Sequence, residues 1–308
     1  MTYDLLSEIR RAFSEPFSGT VYHYTSADGV AGIIGNHEIW MSNTAFMNDT
    51  TELRALQNNR SILNESDFTN EYVRRAWHDM PLQRSFDNNY YMASFSRAKD
   101  LLEQWRAYGS FCIGFDARRL SLRKGISLYK CLYRSNDIRK WILDKEKLEG
   151  WSKLKKKDQK ELLAFSLLYI ATMKYKNEHF KSEKEVRLIT ISNHNWFYDN
   201  SPEMHEGDLP IHVRPHLEYG FPVPYVKFFI ERDIKSNIPN VKEKEMEMKA
   251  RKLKEEGIKE RKLLPITEVI IGPVAYQKEA KIAFEILLAE KGYKNVKVSV
   301  SSIPYRGL

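Results

Sequence analysis

Short runs of β-branched and aromatic residues recur along almost the whole chain, and helix-like segments separate many of them. The clearest are Gly19 to Thr25, His37 to Ser42, Tyr90 to Ser96, Phe111 to Asp116, Ile126 to Tyr133, Lys181 to Ser192, residues 224–231, ITEVIIGP at 266–273 and the closing NVKVSVSSIP. Strands spread this widely, with no repeat and no Pro- or Gly-rich linker between them, predict a single α+β domain over residues 1–308. The predicted core is a mixed or antiparallel sheet. Gly and Pro are scarce, and 42% of the residues are hydrophobic, so the chain reads as globular rather than fibrous or disordered.

Helices fill the spaces. Leu5, Leu6, Ile9 and Phe13 predict one over residues 3–13, Ser26 caps one carrying Val30, Ile33 and Ile34, and residues 68–86 predict another. A helix with Leu101, Leu102, Trp105 and Tyr108 ends at Gly109. Residues 137–180 read as a helical insertion with a lysine cluster at 153–160, and residues 241–262 as a charged helix. Near the C-terminus, EAKIAFEILLAEKGY is expected to turn Ile282, Ile286 and Leu287 inward.

Charge narrows the partners without naming a chemistry. Lys and Arg exceed Asp and Glu by 49 to 41, giving +8, a balance that favours polyanions. The two cysteines, Cys112 and Cys131, match neither a CxxC pair nor a zinc module and suit a reducing compartment. The first residues lack the apolar run of a signal peptide, and no segment is apolar for long enough to cross a bilayer. The expected location is the cytoplasm, away from membranes.

Familiar catalytic signatures are missing: no GxGxxG, GxxxxGK[ST], GxSxG or HExxH occurs. Histidines 205, 212 and 216 lie near Asp208, but Pro210 and Pro215 prevent a shared helical face, and a polar loop explains them without a metal. More informative are three polar pairs in strand contexts. His23 and Thr25 flank Tyr24, Ser94 and Ser96 flank Phe95, and Glu183 and Glu185 share SEKEVR. Alternation along a strand puts each pair on one face, so three strands are expected to line one cleft.

These residues resemble the pattern of the ADP-ribosyltransferases, which order a His or Arg on a first strand, a Ser-x-Ser or Tyr strand, and a late ExE. HYTS, WMSNTAFMNDTTE, SFS with W-x-x-YG and GFD, E-x-E-x-R, IIGP and SSIPYR further resemble a bacterial domain family of unknown function over most of residues 20–306. The resemblance implies an ADP-ribosyltransferase-like fold and a reaction consuming NAD as substrate. It casts Glu185 as the catalytic carboxylate, Glu183 as a second one that chooses the acceptor, and His23 as a ligand for the ribose or the nicotinamide amide. Tyr24, Thr25, Ser94 and Ser96 then support the dinucleotide, and Phe95, Trp105 or Tyr108 stack on the nicotinamide ring. The implied role is that of a toxin or anti-phage effector, with a nucleic-acid or protein acceptor and a possible neutralising partner.

Ordinary roles compete at each position. Ser94 and Ser96 can cap the next helix, Glu185 can pair with Arg187, and Trp105 and Tyr108 can be core. Asn48, Asp49 and Glu52 suit a helix cap, or a site for a ribose or acceptor. Arg214 and Arg306 suit phosphates, whose oxygens match a guanidinium fork. Two further functions fit the composition: a non-catalytic nucleic-acid-binding module using residues 137–160 and 241–262, and a metal-dependent nuclease using Asp49, Glu52 and later acids.

Overall fold

A computed structural model describes residues 13, 17–47, 55–80, 90–121, 126–147, 150–191, 210–215, 220–231 and 261–304. In chain order its main elements are β1 (Thr20–Thr25), α1 (Ala27–Asn36), β2 (Ile39–Asn43), α2 (Glu71–Asp79), β3 (Tyr90–Ser96), α3 (Leu102–Tyr108), β4 (Phe111–Asp116) and β5 (Ile126–Lys130). Then follow α4 (Ser135–Lys145), α5 (Lys157–Lys174), β6 (Glu185–Ile191), β7 (Ile211–Pro215), β8 (Pro222–Phe228), β9 (Ile230–Glu231), β10 (Arg261–Lys262), β11 (Ile266–Ile271), α6 (Gln277–Glu290) and β12 (Lys297–Val300). The architecture is a mixed α/β arrangement around an open, mostly antiparallel sheet, ordered β12-β11-β4-β1-β3-β2-β8-β7 among the described residues, with β6 and β5 branching from β3. Among the described residues, only β11 and β12 pair in parallel within it.

β6 pairs with β3 along its whole length, from Tyr90↔Ile191 to Ser96↔Glu185. The other edge of β3 is shared, since β2 joins it at Tyr91 and Met92 while β1 joins it at Ser96. Between those contacts the sheet forks into two wings.

Local chemistry accounts for the elements. Ser26 Oγ accepts the Gly29 amide at 3.1 Å and starts α1, whose Val30, Ile33 and Ile34 are buried. Along β1, β3 and β4 alternate residues enter different cores. Val21, Phe95 and Ile113 join a large cluster with α1 and α6; Tyr22, Tyr24 and Cys112 pack with Trp105; Tyr90 and Met92 pack on the other side with α2 and α5. The 137–180 segment is therefore structural: α5 buries Leu163, Leu167, Leu168, Ala171 and Met173 in that last cluster. Its lysines 155, 156 and 157 remain exposed, as expected for a solvated end.

Several boundaries differ from the sequence reading. The helix expected over 68–86 is described as Glu71–Asp79, capped by Asn70. The strand expected from Lys181 begins at Glu185, because Glu178–Glu183 coils into a 3-10 turn capped by Asn177 and closed by Lys184 at φ 46°. The run 224–231 splits, with β8 pairing to β2 and β9 to β10. In α6, Phe284 and Leu288 are buried while Ile282 and Ile286 are 58% and 63% exposed. That helix carries two apolar stripes, and the one with the larger aromatic payload, seated on Phe111, faces inward. Residues 3–12 and 241–260 lie outside the described residues; Arg261 and Lys262 form β10.

Candidate functional site

The fork in the sheet opens into a cleft of about 770 Å³, lined by β1, one face of α1, β2, the middle of β3, Tyr108, Lys176, Phe180, Glu183, Glu185 and Arg214. A volume in this range suits a nucleotide-sized ligand. The cleft exists because β1 and β2, joined by α1, leave β3 at different points along one edge.

His23 sits at the fork. Its Nδ1 donates to the Ser94 carbonyl at 2.9 Å, on the edge of β3 between its pairings with β2 and β1, and its ring rests 5.5 Å from that of Phe95. Burial lowers its pKa, which the Ser94 contact only partly offsets, so the neutral ring is favoured and the hydrogen bond leaves Nε2 as the acceptor nitrogen. Thr25 lies beside the start of α1, where Gly29 makes room for it: a Cβ at Gly29 would fall 2.1 Å from Thr25 Oγ1. Gly109, at φ 119°, is equally constrained, because a Cβ there would meet the Thr25 carbonyl at 2.6 Å. That close approach brings the end of α3, with half-exposed Tyr108, to the cleft.

The acidic wall is built around a cation that the motif reading missed. Lys176 Nζ bonds Glu183 Oε2 and lies 2.9 Å from Glu185 Oε2, with its side chain 5% exposed. Arg187 Nη2 reaches the same Glu185 oxygen at 2.9 Å, and Cys131 Sγ donates to it at 3.5 Å. Burial pushes the Glu185 carboxyl up, but Arg187 and Lys176 outweigh it and hold the group down at about 2. Glu185 is thus a fixed anion and a poor base. Alternation along one strand does not bring Glu183 and Glu185 together, since Glu183 precedes the strand; the shared ammonium does. Nothing in the MKYKNEHFKSEKE stretch distinguishes Lys176 from its neighbouring lysines.

On the second wing, Arg214 of β7 donates from Nη2 to Ser42 Oγ at 3.1 Å, and its guanidinium lies over the rings of Trp40 (5.6 Å) and Tyr225 (6.0 Å). Its Nε is buried without a hydrogen-bond partner among the described residues. Trp40 Nε1 donates to Glu38 Oε1 at 2.7 Å, and Glu38 is paired with Lys227 and Arg261.

Of the residues singled out in the sequence, His23, Tyr24, Thr25, Ser94, Phe95, Tyr108, Glu183, Glu185 and Arg214 border this cleft. Tyr24 does so at the edge of β1, while its ring turns away; its hydroxyl donates to the Ala98 carbonyl and accepts the Leu101 amide. Ser96 lies outside the cleft, donating to the Glu183 carbonyl at 2.6 Å and accepting the Ala98 amide. Trp105 is core, edge-on to Tyr24, with Nε1 donating to Asp100. Arg187 stands behind Glu185 and donates to the Met173 carbonyl. Asn48, Asp49, Glu52, Arg306, His205, Asp208 and His216 lie outside the described residues, and His212 is on β7 beside Tyr225. Among the described residues no three metal-ligating side chains cluster, and no helix is long and apolar enough to cross a membrane.

Residues 104–188 match the model of a family described as a protein of unknown function (DUF2971). That span carries W-x-x-YG, GFD and E-x-E-x-R, and it runs from α3 to β6, the acidic side of the cleft. The other motifs of the expected resemblance fall outside it. No curated protein and no solved structure matches the chain.

Proposed function

We propose that the chain is an NAD-dependent ADP-ribosyltransferase of ADP-ribosyltransferase-like fold, acting in the cytoplasm as a toxin or anti-phage effector on a nucleic-acid acceptor. The observation that carries this reading is the convergence of His23, Ser94 and Glu185, from three separate strands, at the fork of the sheet. In this reading the nicotinamide end of NAD lies by His23 and Tyr108. The C1′–N bond breaks, nicotinamide leaves as a neutral molecule, and positive charge grows on the ribose. Glu185, already ionised and held rigid, stabilises that charge only as it develops. The acceptor then bonds to C1′ and loses a proton, which the more exposed Glu183 takes; Glu185, held at about 2, is unsuited to that step.

The test is transfer of labelled ADP-ribose from NAD to DNA, RNA and lysate protein. Glu185→Gln keeps the size and removes the charge, and it is expected to lower the rate by about 10²–10³. Transfer that survives this change undiminished overturns the mechanism. A second reading, a nucleic-acid-binding module without catalysis, draws on the exposed Lys155, Lys156 and Lys157. It predicts binding that weakens steeply with salt and ignores both His23→Ala and Glu185→Gln.

A further inference from the structure

The two wings of the cleft carry opposite chemistry. The β3/β6 side presents Glu183 and Glu185, whereas the β2/β8/β7 side presents Trp40, Ser42 and Arg214 on one face, as the pairings Ser42↔Tyr225 and His212↔Tyr225 require. Arg214 has no carboxylate partner among the described residues. Among those residues its contacts are the Ser42 hydroxyl and two aromatic rings, and its buried Nε–H has no acceptor. A buried donor left unpaired is costly, so an acceptor that binds there gains more than an ordinary surface contact. Trp40 lies alongside, 41% exposed, with its indole held by Glu38. Glu38 opposes an anion little, because Lys227 and Arg261 already neutralise it. The start of α1 is a poorer anion site, since Ser26 already caps it and Asp28 occupies its first turn.

The structure assigns to Arg214, Ser42 and Trp40 a subsite for a nucleotide unit, with the phosphate on the guanidinium and the planar base against the indole. A fork of N–H donors suits phosphate oxygens, and an exposed aromatic face accepts any base. The subsite rests on the proposed transfer only for its purpose. It serves either the ADP half of NAD or a nucleotide of a nucleic-acid acceptor.

Calorimetric titration of the full chain with ADP, adenosine and a short single-stranded oligonucleotide tests it. ADP is expected to bind more tightly than adenosine, and Arg214→Gln to weaken ADP by about 10- to 100-fold, the usual loss for a hydrogen bond to a charged group. Arg214→Lys keeps the charge but lacks the fork and recovers only part of the affinity, and Trp40→Leu weakens ADP and adenosine alike. An oligonucleotide that competes with ADP and shares these dependences identifies the acceptor strand as the occupant; ADP binding without competition identifies the dinucleotide. If neither ADP nor the oligonucleotide binds, or if both bind the Arg214 and Trp40 variants as tightly as the parent, the subsite is overturned. ADP has no nicotinamide to lose, so this outcome is independent of whether the chain cleaves NAD.

Discussion

Lys176 Nζ lies 2.9 Å from Glu185 Oε2 while also bonding Glu183, so one buried ammonium ties the last 3-10 turn before β6 to the first residue of that strand. With Arg187 it sets two cations against two carboxylates, and Glu183 is the most exposed of the four side chains at 17%. The acidic wall is consequently a preformed unit.

Removing the shared cation is expected to loosen that unit. Lys176→Met leaves two facing carboxylates with Arg187 alone, and breaking a buried ion pair in this way costs about 3–5 kcal/mol. The effect depends on pH. Glu185 is held below its ordinary value, so its contribution to stability is complete above about 4.5 and is lost as pH falls towards 2. A drop of that size corresponds to about 3 kcal/mol. In the variant the acid limb of the stability curve moves to higher pH, and urea unfolding between pH 2 and 7 measures it. An acid limb that stays in place contradicts the assigned role of Lys176.

His23 separates structure from chemistry. His23→Asn keeps a donor for the Ser94 carbonyl but supplies no nitrogen at Nε2, whereas His23→Ala loses both. The expected result is a melting temperature close to the parent for Asn, a loss of about 1–3 kcal/mol for Ala, and loss of NAD turnover in both. Burial lowers the His23 pKa, so protonation opposes folding: this contribution is complete above the ordinary value of 6.5 and declines as pH falls through the lowered one. Full NAD turnover by the Asn variant is the outcome that removes Nε2 from the mechanism.

Gly32 offers a test of the cleft itself. It borders the cleft, and a Cβ at this position meets nothing within 4 Å. Gly32→Ala is expected to stabilise α1 by up to about 1 kcal/mol, the usual difference in helix propensity. Gly32→Phe places a ring in the cavity and is expected to abolish nucleotide binding while the protein remains folded. Circular dichroism and calorimetry together separate these effects, and unchanged binding by the Phe variant excludes the cleft as the ligand site.

The orientation of α6 is directly measurable. Phe284→Ala is expected to cost about 3–5 kcal/mol, as for a buried aromatic, and Ile282→Lys less than about 0.5 kcal/mol because the side chain is exposed. Chemical denaturation of the two variants gives the comparison. The reverse ranking supports the inward Ile282 stripe instead.

The amino-acid sequence determined what short-range physics controls. The β-branched and aromatic residues of GTVYHYT and YYMASFS marked β1 and β3, Ser26 the start of α1, and Gly109 the end of α3, because each signal acts within a few residues. It also picked out His23, Ser94, Glu183 and Glu185 as polar groups in or beside strands. Tertiary structure alone decided which of them meet. The shared edge of β3 opens a cleft because β1 and β2 pair with it at different positions, a matter of non-local register that no local pattern encodes. Likewise, α6 had two apolar stripes, and packing on Phe111 chose between them. Lys176 and Arg214 were ordinary basic residues in the chain; burial beside two carboxylates and beside two aromatic rings, respectively, gave them distinct chemistry.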